Sequence, residues 1–198
     1  MTLEAAIDAL TTEERACVVY PTETVYGVGA DALDPDAVER VFSLKQRARS
    51  KPISMAVPSV AAATEYTIVT DRERAFMEAF LPGPVTVLLR RRSIVPDALV
   101  AGADRVGIRI PDHPLALELL DGVGPLTATS ANLSGAGSAR TVAEIDPTFR
   151  EAVECVIDDG QLPGTESTVV DPATGTIHRR GALADSIDTW LTEQSGEQ

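Results

Sequence analysis

The sequence predicts an α/β domain with a mixed β-sheet, because short apolar runs of strand character alternate with segments of helical periodicity. A chain of 198 residues with 44% hydrophobic side chains fits one domain with a substantial core. Helices placed between strands indicate a layered sheet, and several closely spaced strands make it mixed and not purely parallel. We expect one domain over residues 1–192, followed by a polar tail at residues 193–198.

The predicted helices carry apolar stripes at helical spacing and cover Leu3–Leu10, Pro35–Gln46, Arg72–Phe80, Pro114–Leu120, Val142–Phe149 and Ser186–Thr192. The predicted strands are short apolar runs and cover Cys17–Tyr20, Ile53–Val57, Val85–Arg90, Val106–Ile110, Leu126–Thr129, Cys155–Asp158, Ser167–Val170 and Thr176–Arg179. No internal repeat or linker divides the chain, so a single sheet is the simplest arrangement.

The second predicted helix has clear signals for its start and for its buried face. Asp34 is a good N-cap and Pro35 suits the first helical position. The apolar positions within Val38–Phe42 form a stripe, and its continuation brings Lys45 onto the same face at the helix end. We therefore expect Lys45 to point into the protein body, with Arg47 following as the chain leaves the helix.

The cations are distributed unevenly along an acidic chain. The net charge is -13, yet residues Val41–Thr64 contain no acid and hold both lysines of the protein, Lys45 and Lys51. Such a cluster is unfavourable unless an anion neutralises it, although a basic solvated loop is the alternative. An inward lysine beside the guanidinium of Arg47 favours a phosphate site. We expect both cations to serve this site and to contribute little to the stability of the fold.

The composition excludes several classes of function. An excess of acids argues against broad binding of duplex nucleic acid. No apolar run approaches membrane-spanning length, and the first residues lack the basic start of a signal peptide. Cys17 and Cys155, like His113 and His178, match no metal-ligand or redox spacing. These features indicate a cytoplasmic protein without a protein-bound metal, and scarce lysine with excess acid indicates a halophilic one.

Four further segments place hydroxyls, amides and glycines where strands give way to loops. They are PTETVYGVG from Pro21, TSANLSG from Thr129, ESTVVD from Glu166 and RRG from Arg179. None is a phosphate-binding P-loop, and no dinucleotide-binding glycine pattern follows a strand. Taken singly, each segment could be an ordinary turn.

Together and in order, the segments resemble the YrdC-like family of threonylcarbamoyl-AMP synthases. The matching stretches are PTETVYGVG from Pro21, KQR from Lys45, LPGPVTVLL from Leu81, VGIRIPDHPLAL from Val106, TSANLSG from Thr129 and ESTVVD from Glu166. The resemblance covers about residues 17–181. The chain is similar to the short, single-domain form of the family. It implies a twisted α/β sheet with a large concave cavity.

The resemblance also implies an activity. Such nucleotidyltransferases combine ATP, L-threonine and bicarbonate into threonylcarbamoyl-AMP and pyrophosphate, with Mg²⁺ held mainly by the ATP phosphates. Their product supplies threonylcarbamoylation of tRNA adenosine 37 by a downstream transferase machinery, and direct contact with tRNA stays open. This chemistry needs no side-chain nucleophile, because positioning and charge neutralisation suffice.

The resemblance assigns roles to individual residues. The implied catalytic group is Lys45, Arg47, Ser130 and Asn132. The implied ATP-binding residues are Lys45, Arg47, Lys51, Arg105, Ala128, Ser138 and Arg179, and the implied threonine-binding residues are Thr24, Arg109, Ser130 and Ser167.

Three departures from the family pattern accompany the match. Ala56 stands where some relatives have a threonine-contacting histidine, Ala48 stands where proline is usual, and residues Gly137–Thr141 match the expected Ser/Pro-rich stretch only loosely. Two alternatives remain. One is a non-catalytic RNA-binding module with a basic concavity, against which the net charge of -13 argues, and the other is a relative that binds nucleotide but not threonine, for which Ala56 is the one hint.

Overall fold

The computed structural model describes residues 1–194, which form one mixed sheet with helices on both faces. The helices are α1 (Leu3–Thr12), α2 (Pro35–Lys45), α3 (Val60–Tyr66), α4 (Asp71–Phe80), α5 (Asp97–Val100), α6 (Pro114–Val123), α7 (Pro147–Glu151) and α8 (Ala184–Glu193). The strands are β1 (Val18–Tyr20), β2 (Gly27–Gly29), β3 (Ser54–Ala56), β4 (Thr67–Ile68), β5 (Val85–Arg91), β6 (Arg105–Arg109), β7 (Leu126–Ser130), β8 (Cys155–Val156), β9 (Thr168–Asp171) and β10 (Thr176–Arg179).

The strand order is β10-β9-β5-β6-β3-β7-β2-β1-β8, with β4 paired to β5. Three neighbouring pairs are parallel, namely β1 with β8, β3 with β6 and β5 with β9, and the other pairs are antiparallel. The predicted α/β class with a mixed sheet is therefore confirmed.

The core has a layer on each face of the sheet. The smaller layer packs α1 and α6 against the sheet through residues such as Ala6, Leu119 and Val18. Ala56 of β3 belongs to this layer, whereas Ser54, two residues earlier on the same strand face, lines a cavity. The helices α1 and α6 thus cover only part of this face, and the cavity occupies the part beside them.

The helix α2 begins and ends as its sequence signals require. The Asp34 side chain accepts a hydrogen bond from the backbone N–H of Asp36, and Gln46 ends the helix in the left-handed conformation (φ 49°). The backbone N–H groups of Gln46 and Arg47 return to the carbonyl of Phe42, which caps the helix end. This exit turns the chain so that Lys45 is buried while Arg47 reaches the cavity.

One predicted helix is wrong. The segment Val142–Phe149 forms a short 3₁₀ turn at Val142–Glu144 and then a separate helix, α7. Pro147 lacks the N–H that a helix interior requires, and the Asp146 carboxylate caps a new helix by accepting hydrogen bonds from the N–H groups of Thr148 and Phe149.

The short elements β2, α3, β4 and α5 were not predicted from the sequence, and the predicted strand Cys155–Asp158 ends at Val156. Two glycines in β2 and several alanines in α3 give weak periodic signals. Of the predicted tail, Glu193 belongs to α8 and residues 195–198 lie outside the described part of the chain. No helix within residues 1–194 is both long and apolar enough to cross a membrane.

Candidate active site

A cavity of about 440 Å³ opens over the central strands of the sheet. Its floor includes Ser54 of β3, Thr86 of β5 and Gly107 of β6. A Cβ atom on Gly107 would lie 2.7 Å from Ser54 Oγ and 2.9 Å from Thr86 Cγ2. A side chain at position 107 would force Ser54 or Thr86 to shift, so glycine lets both side chains pack closely over β6 at the cavity floor.

Most residues that the sequence assigned to a site meet in this cavity. Those that line it are Thr24, Arg47, Arg105, Arg109, Ala128, Ser130, Ser138, Ser167 and Arg179. Lys45, Lys51 and Asn132 are not among the lining residues. Lys51 is exposed, and its backbone carbonyl accepts a hydrogen bond from Arg47.

Lys45 is buried beside the cavity wall and holds two backbone segments together. Its Nζ donates to the carbonyl oxygens of Ser130 and Asn132, the latter at 2.9 Å. Its own carbonyl accepts a hydrogen bond from the N–H of Ser134 at 2.7 Å. Burial, and then the charge of Arg47, lowers the pKa of Lys45 to about 8. The predicted inward direction of Lys45 is confirmed, but its partners show that it also ties α2 to the loop after β7.

Asn132 orients Ser130 from behind the cavity surface. The Ser130 hydroxyl donates to Asn132 Oδ1. The Asn132 amide donates to the carbonyls of Leu133 at 2.8 Å and Ala136 at 2.7 Å. Because both ends of the amide are engaged, Asn132 fixes the loop after β7 and holds the Ser130 side chain at the cavity.

Arg47 and Arg179 line the cavity without a carboxylate partner within residues 1–194. Arg47 donates to the carbonyls of Lys51 at 3.0 Å and Pro52 at 2.9 Å. Arg179 donates to the carbonyl of Ser167 at 3.0 Å and to its hydroxyl at 2.7 Å. Burial, and then the charge of Arg179, lowers the pKa of Arg47. We call Lys45, Arg47 and Arg179 the cation cluster, because their charges repel one another and an anion in the cavity would relieve this repulsion.

Arg105 and Arg109 line the same cavity but are neutralised by acids. Arg105 Nη1 lies 3.2 Å from Asp171 Oδ1 and 3.8 Å from Glu73 Oε1. Arg109 Nη2 lies 2.8 Å from Glu23 Oε1, and each of these two side chains is only 14% exposed. We call Arg105 and Arg109 the paired arginines. They present directed donors with little net charge.

The hydroxyls assigned to threonine lie beside different arginines. Thr24 Oγ1 accepts from Arg109 at 2.6 Å and lies 2.9 Å from Thr22 Oγ1. Ser167 Oγ accepts from Arg179 and lies 3.5 Å from Thr86 Oγ1. Thr24 and Ser167 therefore line one cavity but are held by a paired arginine and by the cation cluster, respectively.

Other residues that line or support the cavity were not predicted from the sequence, namely Thr22, Glu23, Ser54, Thr86, Glu166 and His178. For Thr86 a signal existed, since a hydroxyl residue interrupts the apolar strand VTVLL at an alternate position. Thr22 and Glu23 lie within PTETVYGVG, but nothing local shows that Glu23 reaches Arg109.

A divalent cation would find few protein ligands here. Within residues 1–194, no group of three or more histidine, cysteine, aspartate or glutamate side chains could hold a metal ion. Among the described residues that line the cavity, Glu166 is the one acidic residue, and its chain neighbours Thr165 and Ser167 also belong to the lining. This donor set fits a Mg²⁺ ion that takes most of its oxygen ligands from phosphates and water.

Comparisons with known proteins agree on one family. Residues 11–181 match the model of the Sua5/YciO/YrdC family, described as "Telomere recombination". A Shigella boydii protein named threonylcarbamoyl-AMP synthase is 37% identical over 183 residues, which cover 90% of this chain and 95% of that protein. A Pyrococcus abyssi protein of the same name is 40% identical over 162 residues, or 80% of this chain.

The fold of this chain also agrees with a solved structure of the same family. The crystal structure of P. abyssi Sua5 complexed with L-threonine superposes with a TM-score of 0.81 at 35% identity, over 85% of this chain. This chain spans about half of that structure's length and 47% of the P. abyssi relative.

Proposed function

The chain belongs to the Sua5/YciO/YrdC family, and on that basis we propose that it is an L-threonylcarbamoyladenylate synthase. It would combine ATP, L-threonine and bicarbonate into threonylcarbamoyl-AMP and pyrophosphate. The names of its relatives and the threonine-bound P. abyssi structure support this activity.

The observation that carries the proposal is the division of four arginines within one cavity. Arg47 and Arg179 keep their charge available, whereas Arg105 and Arg109 share theirs with acids. Phosphates carry several charges and suit the first pair, because charge-assisted hydrogen bonds to phosphate are strong. A zwitterionic amino acid needs directed donors with little net charge, which the second kind of arginine provides.

The proposed arrangement follows from these charges. Arg47 and Arg179 hold the ATP phosphates, with Lys45 behind them and the exposed Lys51 near the nucleotide. Ala128 and Ser138 line the nucleotide pocket, with Arg105 at its edge. Thr24 and Arg109 hold threonine, and the hydroxyls of Ser130 and Ser167 lie between the two substrates.

The reaction then requires positioning and neutralisation of charge. The threonine amine adds to the carbon of bicarbonate, and loss of water leaves a carbamate. A carbamate oxygen attacks the α-phosphorus, the bond from that phosphorus to the bridging oxygen breaks, and pyrophosphate leaves. The cation cluster stabilises charge that develops on phosphate, and the cavity aligns the reactants. Mg²⁺ bound with ATP would neutralise phosphate charge further, with Glu166 and the nearby hydroxyls as its protein ligands.

The product would supply threonylcarbamoylation of tRNA adenosine 37 by a downstream transferase machinery in the cytoplasm. Direct contact between this chain and tRNA is not needed for that role. The alternative, a non-catalytic RNA-binding module, is not favoured, because the net charge is -13 and the relatives are named for a synthase activity.

The direct test is to incubate the pure protein with ATP, threonine, bicarbonate and Mg²⁺ and to detect threonylcarbamoyl-AMP by mass spectrometry. We expect product with threonine, little with serine and none with valine, because a site that hydrogen-bonds a substrate hydroxyl rejects an analogue lacking it. Absence of product at both low and molar salt would favour the non-catalytic alternative. Equal turnover of valine would contradict the assignment of Thr24, Arg109 and Ser167 to threonine.

A further inference from the structure

We propose that Glu23 is a positioning residue that selects the amino acid over phosphate at Arg109. It does so by fixing the orientation of the Arg109 guanidinium and by neutralising its charge. This inference rests on the proposed function and concerns how the same cavity distinguishes its anions.

Glu23 uses both carboxylate oxygens to join two loops. Its Oε1 accepts from Arg109 Nη2 at 2.8 Å, and its Oε2 accepts from the backbone N–H of Asp112 at 3.2 Å. The first loop follows β1 and the second follows β6, the strand that ends at Arg109. Glu23 itself is not among the described residues that line the cavity, so it acts through Arg109.

The consequence for Arg109 is that one of its nitrogens is fully occupied. Nη2 donates both to Glu23 and to Thr24 Oγ1, the latter at 2.6 Å. In contrast, Nε is buried and has no hydrogen-bond partner among residues 1–194. With Nη2 occupied and Nε buried, Nη1 is the nitrogen that Arg109 can offer to a substrate carboxylate. The carboxylate is therefore held from one side of the guanidinium, and its orientation fixes the rest of the amino acid.

The second consequence concerns charge. ATP and pyrophosphate share this cavity with threonine, and a free guanidinium binds phosphate oxygens readily. The pairing with Glu23 leaves little net charge at Arg109. A polyanion then gains much less binding free energy at Arg109 than at the cation cluster, whereas the binding of a zwitterion is weakened little. Selectivity thus comes from weaker binding of phosphate at Arg109 as well as from direct contacts to the amino acid.

The experiment compares Glu23→Gln and Glu23→Asp with wild type. Three quantities are measured: the KM of threonine, the KM of ATP, and the inhibition by pyrophosphate at varied threonine concentration. For Glu23→Gln we expect the KM of threonine to rise about tenfold or more, as for loss of a hydrogen bond between charged groups. The KM of ATP should stay unchanged, and pyrophosphate should become a stronger competitor of threonine.

Glu23→Asp separates charge from position. It keeps the negative charge but is one methylene shorter, so it cannot hold Arg109 and Asp112 together in the present geometry. We expect it to resist pyrophosphate as wild type does, while the KM of threonine stays raised. The matched control is Glu39→Gln, which removes the partner of Arg49 outside the cavity and should change none of the three quantities.

Two outcomes would overturn the inference. One is a folded Glu23→Gln protein with wild-type threonine KM and wild-type pyrophosphate inhibition. The other is an equal rise in the KM of ATP and of threonine, which would show that Glu23 only supports the fold. Calorimetric titration with threonine alone tests the inference without turnover. Equal affinity of wild type and Glu23→Gln for threonine would overturn the inference even if no product forms. If threonine binding depends on Glu23 but the wild-type protein forms no product, the result counts against the proposed function only.

Discussion

Arg47 and Arg179 contact only carbonyl and hydroxyl oxygens, whereas Arg105 and Arg109 in the same cavity contact carboxylates. The side chain is the same in all four cases, so the neighbours decide what each arginine can do. The unpaired ones act as charges, and the paired ones act as oriented hydrogen-bond donors. The proposed reaction brings a polyanion and a zwitterion into one cavity, and it would use both kinds of arginine.

The largest expected effect is loss of catalysis when an unpaired arginine is removed. Arg47→Ala should lower kcat by about 10²–10³-fold, because charge that develops on phosphate loses a preorganised partner. Arg47→Lys should lower kcat nearly as much, since an ammonium cannot make the bidentate contact of a guanidinium. The measurement is pyrophosphate release.

The matched control is Arg49→Ala, two residues along the chain. Arg49 is 61% exposed and paired with Glu39, so its removal should leave the rate within about twofold of wild type. Equal losses for Arg47→Ala and Arg49→Ala would show that the general charge of the segment matters, and not the unpaired state of Arg47.

The sequence could show which residues approach the cavity but not how they pair. The stripe of α2 correctly predicted an inward Lys45, and the polar segments after β1 and β7 and at the start of β9 placed Thr24, Ser130 and Ser167. Periodicity reports which face of an element a residue occupies and so gives the direction of Lys45, whereas Thr24, Ser130 and Ser167 were assigned through the motifs that resemble the family.

Pairing depends instead on which loops meet in space. Arg109 and Glu23 are 86 residues apart, and Arg105 and Asp171 are 66 apart. Neither local propensity nor spacing carries that information. For the same reason the sequence could not show that Lys45 donates its hydrogen bonds to backbone carbonyls of a distant loop.

The second test concerns Lys45, where the structure corrects an expectation. An acid-free segment suggested that Lys45 adds little to stability, yet its Nζ satisfies two carbonyls of the loop after β7. Lys45→Ala should therefore lower the unfolding free energy by about 1–3 kcal/mol, because those carbonyls lose their buried donor.

Lys51→Ala is the control, because the other lysine of the chain is exposed. Thermal melts of the two variants beside wild type give the answer. A melting temperature for Lys45→Ala at or above that of wild type would show that Lys45 does not stabilise the fold and serves only the phosphate site.

The third test uses salt, which screens the whole surface and the cation cluster together. With a net charge of -13, the protein should gain melting temperature as potassium chloride rises to molar concentration. The KM of ATP should rise over the same series more than that of threonine, since the paired arginines present little net charge to screen.

A melting temperature that stays flat or falls would remove the halophilic interpretation. Parallel changes in the two KM values would remove the electrostatic distinction between the cation cluster and the paired arginines.

The last test is a pH dependence of stability at Lys45. Its pKa is about 8 in the folded protein, against an ordinary value of 10.5, so the unfolded chain binds more protons between these values. Stability from this group is therefore lowest below pH 8 and rises as pH increases through that window.

The difference in melting temperature between wild type and Lys45→Met should accordingly grow in favour of wild type from pH 8 to pH 10. The comparison isolates Lys45 because other groups titrate alike in both proteins. A constant difference would show that burial does not shift this amine.

The order of the strands has a consequence for how the cavity comes into being. Its floor joins β3 to β7 and β5 to β9, so Ser54 lies beside Ala128 and Val85 beside Thr168. Contacts so distant along the chain close large loops and form slowly. During synthesis, the cavity cannot exist until β9 and β10 have left the ribosome. No substrate can therefore guide the early folding of this chain, and ligands can stabilise only the finished domain.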